Sequence, residues 1–202
     1  VLSSAGMIGL TGVSRAGFGI CVNTLLMLNH DKAGLPVAAV FRGALAQDSA
    51  EEAVRFLRSV PHASGQHYAV ADKHGVVGLE CSAQGATVSA APDALSLIHT
   101  NHPLASADIE PASLAILEAR GRVADSKRRL GFLDSRIAPI MTVEETKRML
   151  ADRTTPICIL PTPERPGSTF GSVVFTLSGT PQALFCLGAP DTEAWHEIPW
   201  TM

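Results

Sequence analysis

The sequence predicts an α+β protein in which antiparallel sheets are layered with helices. Three observations carry that expectation. Short apolar runs broken by turn residues fill the first hundred residues, helical periodicity occupies about 110–151, and strand pattern then returns. Blocks of strands, helices and strands again are not the βα alternation of a parallel sheet.

The elements follow in order. Residues 7–13 and 18–23 are apolar runs flanking Ser14-Arg15-Ala16-Gly17, which reads as a hairpin. Residues 35–45 fit a strand or a helix by periodicity. Ser49-Ala50-Glu51-Glu52 is a capping box ahead of the apolar face Ala53, Val54, Phe56, Leu57 and Val60, which predicts a helix. Asp72-Lys73-His74-Gly75 joins 67–71 to 76–80 as a second hairpin, and 86–90 and 94–99 are expected to continue the meander. A second capping box, Thr142-Val143-Glu144-Glu145, lies in the helical block. Strands are expected at 157–160, 172–177 and 183–187, with 161–167 a proline-rich loop.

Composition narrows the function. The chain has 202 residues, 46% hydrophobic and 17% charged, which is globular rather than disordered. A net charge of -3 argues against nucleic-acid and anionic-membrane partners. No run approaches the ~18 apolar residues of a membrane span. Cys21, Cys81, Cys158 and Cys186 are far apart and lack CxxC spacing, and read as buried thiols of a cytoplasmic protein. Val1 opens in mid-pattern without a signal-type segment, so an upstream piece is expected.

Three segments invite chemistry. Ile98-His99-Thr100-Asn101-His102-Pro103 is expected to leave a strand at a sheet edge, where the Asn101 carboxamide either donates to a developing oxyanion or caps its own loop. His99 and His102 suit a metal poorly, because strand alternation puts positions three apart on opposite faces, and no third ligand is evident. Asn23 ends a strand and either faces a pocket or terminates that strand; Cys21 shares its face. Asp125-Ser126-Lys127-Arg128-Arg129 opens a helix, with an N-cap and arginines that either lie in solvent or reach into a cleft.

Together these segments resemble the penicillin acyltransferase family, the acyl-CoA:isopenicillin N acyltransferase-like enzymes. The likeness rests on Ala5-Gly6-Met7-Ile8-Gly9-Leu10 with Gly17-Phe18-Gly19-Ile20-Cys21-Val22-Asn23, on Gly78-Leu79-Glu80-Cys81-Ser82, on His99-Thr100-Asn101-His102-Pro103, and on Asp152-Arg153 with Pro156-Ile157-Cys158. The resemblance implies a single domain over 1–202 with the αββα N-terminal-nucleophile sandwich, two antiparallel sheets flanked by helices. It implies a precursor that cleaves itself before a Cys, whose thiol then attacks an amide or thioester with its own α-amine as base. It assigns Asn101 and Asn23 to the oxyanion and Arg129 or Arg128 to support of the nucleophile, with His99, Thr100 and His102 as substrate contacts. No cofactor is implied; acyl-CoA is admitted as a co-substrate, and a homo-oligomer as an assembly.

The nucleophilic Cys has no counterpart in this chain, since only six residues precede Met7. An upstream segment or separate α chain is therefore the expected partner, beside a small amide or thioester substrate. The alternative is a non-catalytic binding or assembly subunit with the same fold.

Overall fold

A computed structural model describes residues 9–137, 141–163 and 167–199. The expected strand start at Met7 and Ile8, the Ala5 to Ile8 part of the family likeness, and positions 164–166 of the proline-rich loop lie outside them. Two antiparallel sheets and five helices make up the described elements, in agreement with an α+β class. The chain divides into two compact units, Val1–Lys127 with Leu177–Pro181, and Arg128–Thr176 with Gln182–Met202.

The first unit is built on a meander of strands β1 (Thr11–Val13), β2 (Gly19–Thr24), β3 (Gln66–Ala71), β4 (Val76–Ser82) and β5 (Gly85–Ala94), paired in sequence order. Alternation gives the sheet two faces. Ile20, Tyr68, Val70, Leu79 and Cys81 point to one, where they form a buried core with Val40, Phe41 and Ala44 of α1 (Val37–Leu45) and Ala53 and Leu57 of α2 (Ala50–Ser59). The ambiguous 35–45 segment is thus helical from Val37 on, because one stripe of it meets this core. Ser49 accepts the Glu52 amide at 3.1 Å, but the reciprocal half of the box is redirected: Glu52 accepts from the Asp48 amide at 3.2 Å.

The meander departs from expectation at its end. β5 runs from Gly85 to Ala94 and no strand occupies 96–99, so His99 lies in a loop. Beyond β2, Leu25, Met27 and Leu28 form a second core with Val123, against which Leu114 and Leu117 of α3 (Pro111–Ala119) pack. Helix α4 (Arg122–Asp134) begins three residues before Asp125, which therefore sits in its first turn and is not its N-cap.

In the second unit, α5 (Val143–Ala151) carries a complete capping box between Thr142 and Glu145. Strands β6 (Gly171–Thr176), β7 (Gln182–Leu187) and β8 (Trp195–Glu197) form a three-stranded sheet. Residues 157–160 are not a strand; Ile159 instead bonds twice with Thr169, through backbone and hydroxyl. No described helix is long and apolar enough to cross a membrane.

Candidate active site

The second face of the five-stranded sheet carries polar residues where the first carries core. Asn23, His67, Glu80 and Thr87 are successive cross-strand partners on β2, β3, β4 and β5, so their side chains form one row. Beyond the row, β2 ends at Thr24, and the next amide, Leu25 N, donates to Gly65 O at 3.0 Å. Gly65 permits that approach: a Cβ there would stand 2.3 Å from Leu25 O.

Asn101 arrives at this strand end. Its Nδ2 donates to Thr24 O at 3.2 Å, placing the carboxamide one residue from Asn23 across 77 positions of chain. Asn101 is exposed and Asn23 half-buried. Asn101 is therefore bonded to the backbone of the residue that follows Asn23 at the end of β2.

Three anchors hold the Asn101 loop. Ser126, fully buried on α4, accepts the Asn101 backbone amide on its Oγ at 2.8 Å and donates to Thr100 Oγ1 at 2.9 Å; His102 Nδ1 lies 2.8 Å from the same hydroxyl. Thr100 Oγ1 donates in turn to Ser126 O at 3.0 Å. Glu80 accepts the amides of Leu104 at 2.6 Å, Ala105 at 3.1 Å and Ser106 at 2.6 Å. Asp108 takes the Asn29 side-chain amide and the Ser82 hydroxyl.

Glu80 also pairs with His99, whose Nε2 lies 2.9 Å from its Oε1, in a bridge with 2% and 0% of the side chains exposed. His99 Nδ1 faces Thr100 O at 2.7 Å. Both ring nitrogens thus meet oxygen acceptors, and the doubly protonated imidazolium satisfies both. Burial pushes the Glu80 carboxyl up, but the His99 bond and the three loop amides outweigh it and bring it down to about 2. A carboxylate with four donors in a dry site is held ionised.

His67 differs. Its ring stacks on His99 with centroids 3.6 Å apart and planes 3° apart. Burial lowers its pKa, the charge on His99 lowers it further, and together they outweigh Glu80 and bring it to about 3. His67 is therefore neutral at ordinary pH. Nδ1 lies 3.4 Å from Asn23 Oδ1 and Nε2 lies 3.2 Å from Ser89 Oγ.

Of the remaining expectations, His99, Thr100 and His102 are buried, at 8% exposure or less for Thr100 and His102, and the bonds described above hold the loop together. Arg128 and Arg129 follow Ser126 on α4, and both have interaction partners. Among the described residues no group of three metal-binding side chains converges. Cys21 corrects the expectation of four buried thiols: it is exposed on the Asn23 face, while the other three are buried.

None of His67, Glu80, Ser89 and Ser126 was given a place in the site by sequence reasoning: Glu80 stood only in a family-like segment and Ser126 only as an N-cap candidate beside Asp125. A signal existed for two of them. The Asp72 to Gly75 turn sets the register of β3 and β4, and His67 and Glu80 alternate there with Tyr68, Val70, Leu79 and Cys81, so the polar pair had to share the face away from the core.

A family profile described as acyl-coenzyme A:6-aminopenicillanic acid acyl-transferase matches residues 1–191. The chain belongs to this family. Of the segments that carried the resemblance, those around Asn23, Glu80 and Asn101 are linked in this acyl-transferase-family chain through Thr24, His67 and His99. Among solved structures it is similar to a mutant conjugated bile acid hydrolase from Clostridium perfringens, at 13% identity and a TM-score of 0.47, covering 95% of this chain and 77% of that one. No curated protein matches.

Proposed function

We propose that this protein makes or breaks amide bonds through an acyl-cysteine intermediate, as an N-terminal-nucleophile enzyme released by self-cleavage of a precursor. The observation that supports the reading is the bond from the Asn101 carboxamide to the carbonyl of Thr24, the residue next to Asn23 at the end of β2. Two carboxamides there supply hydrogen bonds to the oxygen of a carbonyl under attack.

In this reading an N-terminal Cys of an upstream segment or α chain attacks the carbonyl carbon, and its α-amine takes the thiol proton. Negative charge passes to the carbonyl oxygen, which Asn101 and Asn23 hold. The C–N bond (or the C–S bond of a thioester such as acyl-CoA) then breaks, the leaving group departs with the proton, and a thioester remains on the Cys. Water or an acceptor amine resolves it. Arg129, or Arg128 beside it, supports the nucleophile. His99, Thr100 and His102 serve by holding the loop, leaving the two asparagines to face the substrate. The protein works in the cytoplasm, alone or as a homo-oligomer.

The test is intact-mass spectrometry of the full-length protein after brief exposure to octanoyl-p-nitroanilide or octanoyl-coenzyme A. The expected result is a new N-terminal Cys and a mass increase of one octanoyl group on it. An uncleaved chain that never acquires the acyl mass overturns the reading, and supports the second one, a non-catalytic subunit of the same fold.

A further inference from the structure

We infer that His67 is a positioning residue for Asn23: its Nδ1–H fixes the amide so that the NH2 group, and not the carbonyl, faces the reacting carbonyl oxygen. This rests on the oxyanion role proposed for Asn23.

The argument begins with the tautomer. A neutral imidazole has one donor and one acceptor nitrogen, and what lies around the ring chooses between them. At Nδ1 stands Asn23 Oδ1, which only accepts, so Nδ1 carries the proton. At Nε2 stands Ser89 Oγ, which then donates its hydroxyl. The opposite tautomer requires a donor at Nδ1, and Asn23 would have to turn over to provide it. That turn would present a carbonyl oxygen to the oxyanion, a repulsive contact in place of a hydrogen bond.

The surroundings are arranged for this tautomer. Ser89 is the extra residue of a β-bulge, since Val88 pairs with Leu79 and Ala90 with Gly78, leaving Ser89 unpaired between them. A bulge re-aims a side chain, and this one sends the hydroxyl to His67 Nε2. Gly78 beneath it leaves the space: a Cβ there would stand 2.4 Å from Ser89 Oγ and 3.1 Å from His67 Nε2. On the ring face, a proton on the stacked His99, held between Glu80 and Thr100 O, repels a second proton on His67. Among the described residues the Asn23 amide nitrogen takes no partner of its own, so the bond to His67 is what orients the group.

Nitrogen-15 NMR of the full-length protein labelled at histidine, with the His67→Phe spectrum assigning the signal, reads the tautomer without any substrate. The expected pattern is a protonated Nδ1 and an unprotonated Nε2 across pH 6 to 8. An Nε2–H tautomer, or an imidazolium in that range, overturns the inference even if the enzyme reading stands. Kinetics with octanoyl-p-nitroanilide give the second arm. His67→Phe keeps the stack but loses the donor, and kcat should fall roughly ten- to a hundredfold with KM nearly unchanged. The double variant with Asn23→Ala should be no slower than Asn23→Ala alone, because His67 acts through Asn23. Multiplying losses overturn the positioning role. If Asn23→Ala and Asn101→Ala both leave turnover intact, the oxyanion reading has failed and the inference falls with it.

Discussion

The rings of His67 and His99 lie flat on one another, 3.6 Å between centroids, on the face of the sheet that also bears Glu80. Two imidazoles so close cannot both be charged at low cost. The Glu80 carboxylate decides which one is, by pairing with His99 at 2.9 Å. The pair then works in two directions, downward to hold the Asn101 loop through three amides and across to keep His67 neutral beside Asn23.

Asn101→Ala should lower turnover by about 10²–10³-fold, the usual loss on removing one oxyanion donor. Steady-state rates at saturating substrate provide the measurement, with an unchanged thermal midpoint as evidence that the exposed side chain contributes little to folding. A variant with full activity would return Asn101 to the role of a loop cap.

Glu80→Gln should destabilise the fold by roughly 3–5 kcal/mol, because it leaves a buried cation and weakens the cradle of the Leu104, Ala105 and Ser106 amides. Urea denaturation reads this as a lower midpoint at similar slope. A loss below about 1 kcal/mol would mean that the imidazolium of His99 is not what Glu80 holds.

Acid should weaken the protein well before ordinary carboxylates protonate. His67 is lowered from 6.5 to about 3, so between those values the unfolded chain binds a proton that the fold refuses, and stability falls as pH falls through this window. Glu80 is lowered from 4.5 to about 2, so its contribution is present above 4.5 and is lost as pH drops towards 2. Both groups slope the same way, each at up to ~1.4 kcal/mol per pH unit. Denaturation midpoints from pH 7 to 4 should decline, and in His67→Phe the decline between 6.5 and 4.5 should flatten. An equally steep decline in that variant would place the acid sensitivity elsewhere.

How much of this was legible in the sequence depends on range. Hairpins with local turn chemistry, such as the one at Asp72 to Gly75, and helices with side-chain caps at Ser49 and Thr142 were readable because the determining atoms lie within a few residues. Asn23 and Asn101 stood out locally and took their role from family likeness, while the bond of Asn101 to Thr24 O across 77 positions is a tertiary fact that no local pattern contains. The 94–99 stretch has strand-like composition, yet His99 leaves the sheet because Glu80 and the stack on His67 draw it over the face. Ser89 was invisible for a related reason: a bulge is a mismatch between two strands, and neither strand announces it alone. β8 was missed because three residues of mixed polarity carry no period.

Gly78→Ala tests the packing of the row with a single methyl group. Its Cβ would stand 2.4 Å from Ser89 Oγ, 3.0 Å from Leu97 Cδ2 and 3.1 Å from His67 Nε2, all side-chain atoms that must shift. Overpacking of this kind costs typically about 1–3 kcal/mol. The nearest obstacle is the hydroxyl, so Ser89→Ala in the same chain should recover part of the loss, a coupling that separate single changes would not show. Gly131→Ala is the control: it lies inside α4 with nothing within 4 Å of the added carbon, and should stabilise by about 0.5–1 kcal/mol through helix propensity. Thermal midpoints of these variants and of Ser89→Ala alone decide the matter. Equal effects at Gly78 and Gly131 would show that the Ser89 hydroxyl is free to move, and that the bulge does not hold it against His67.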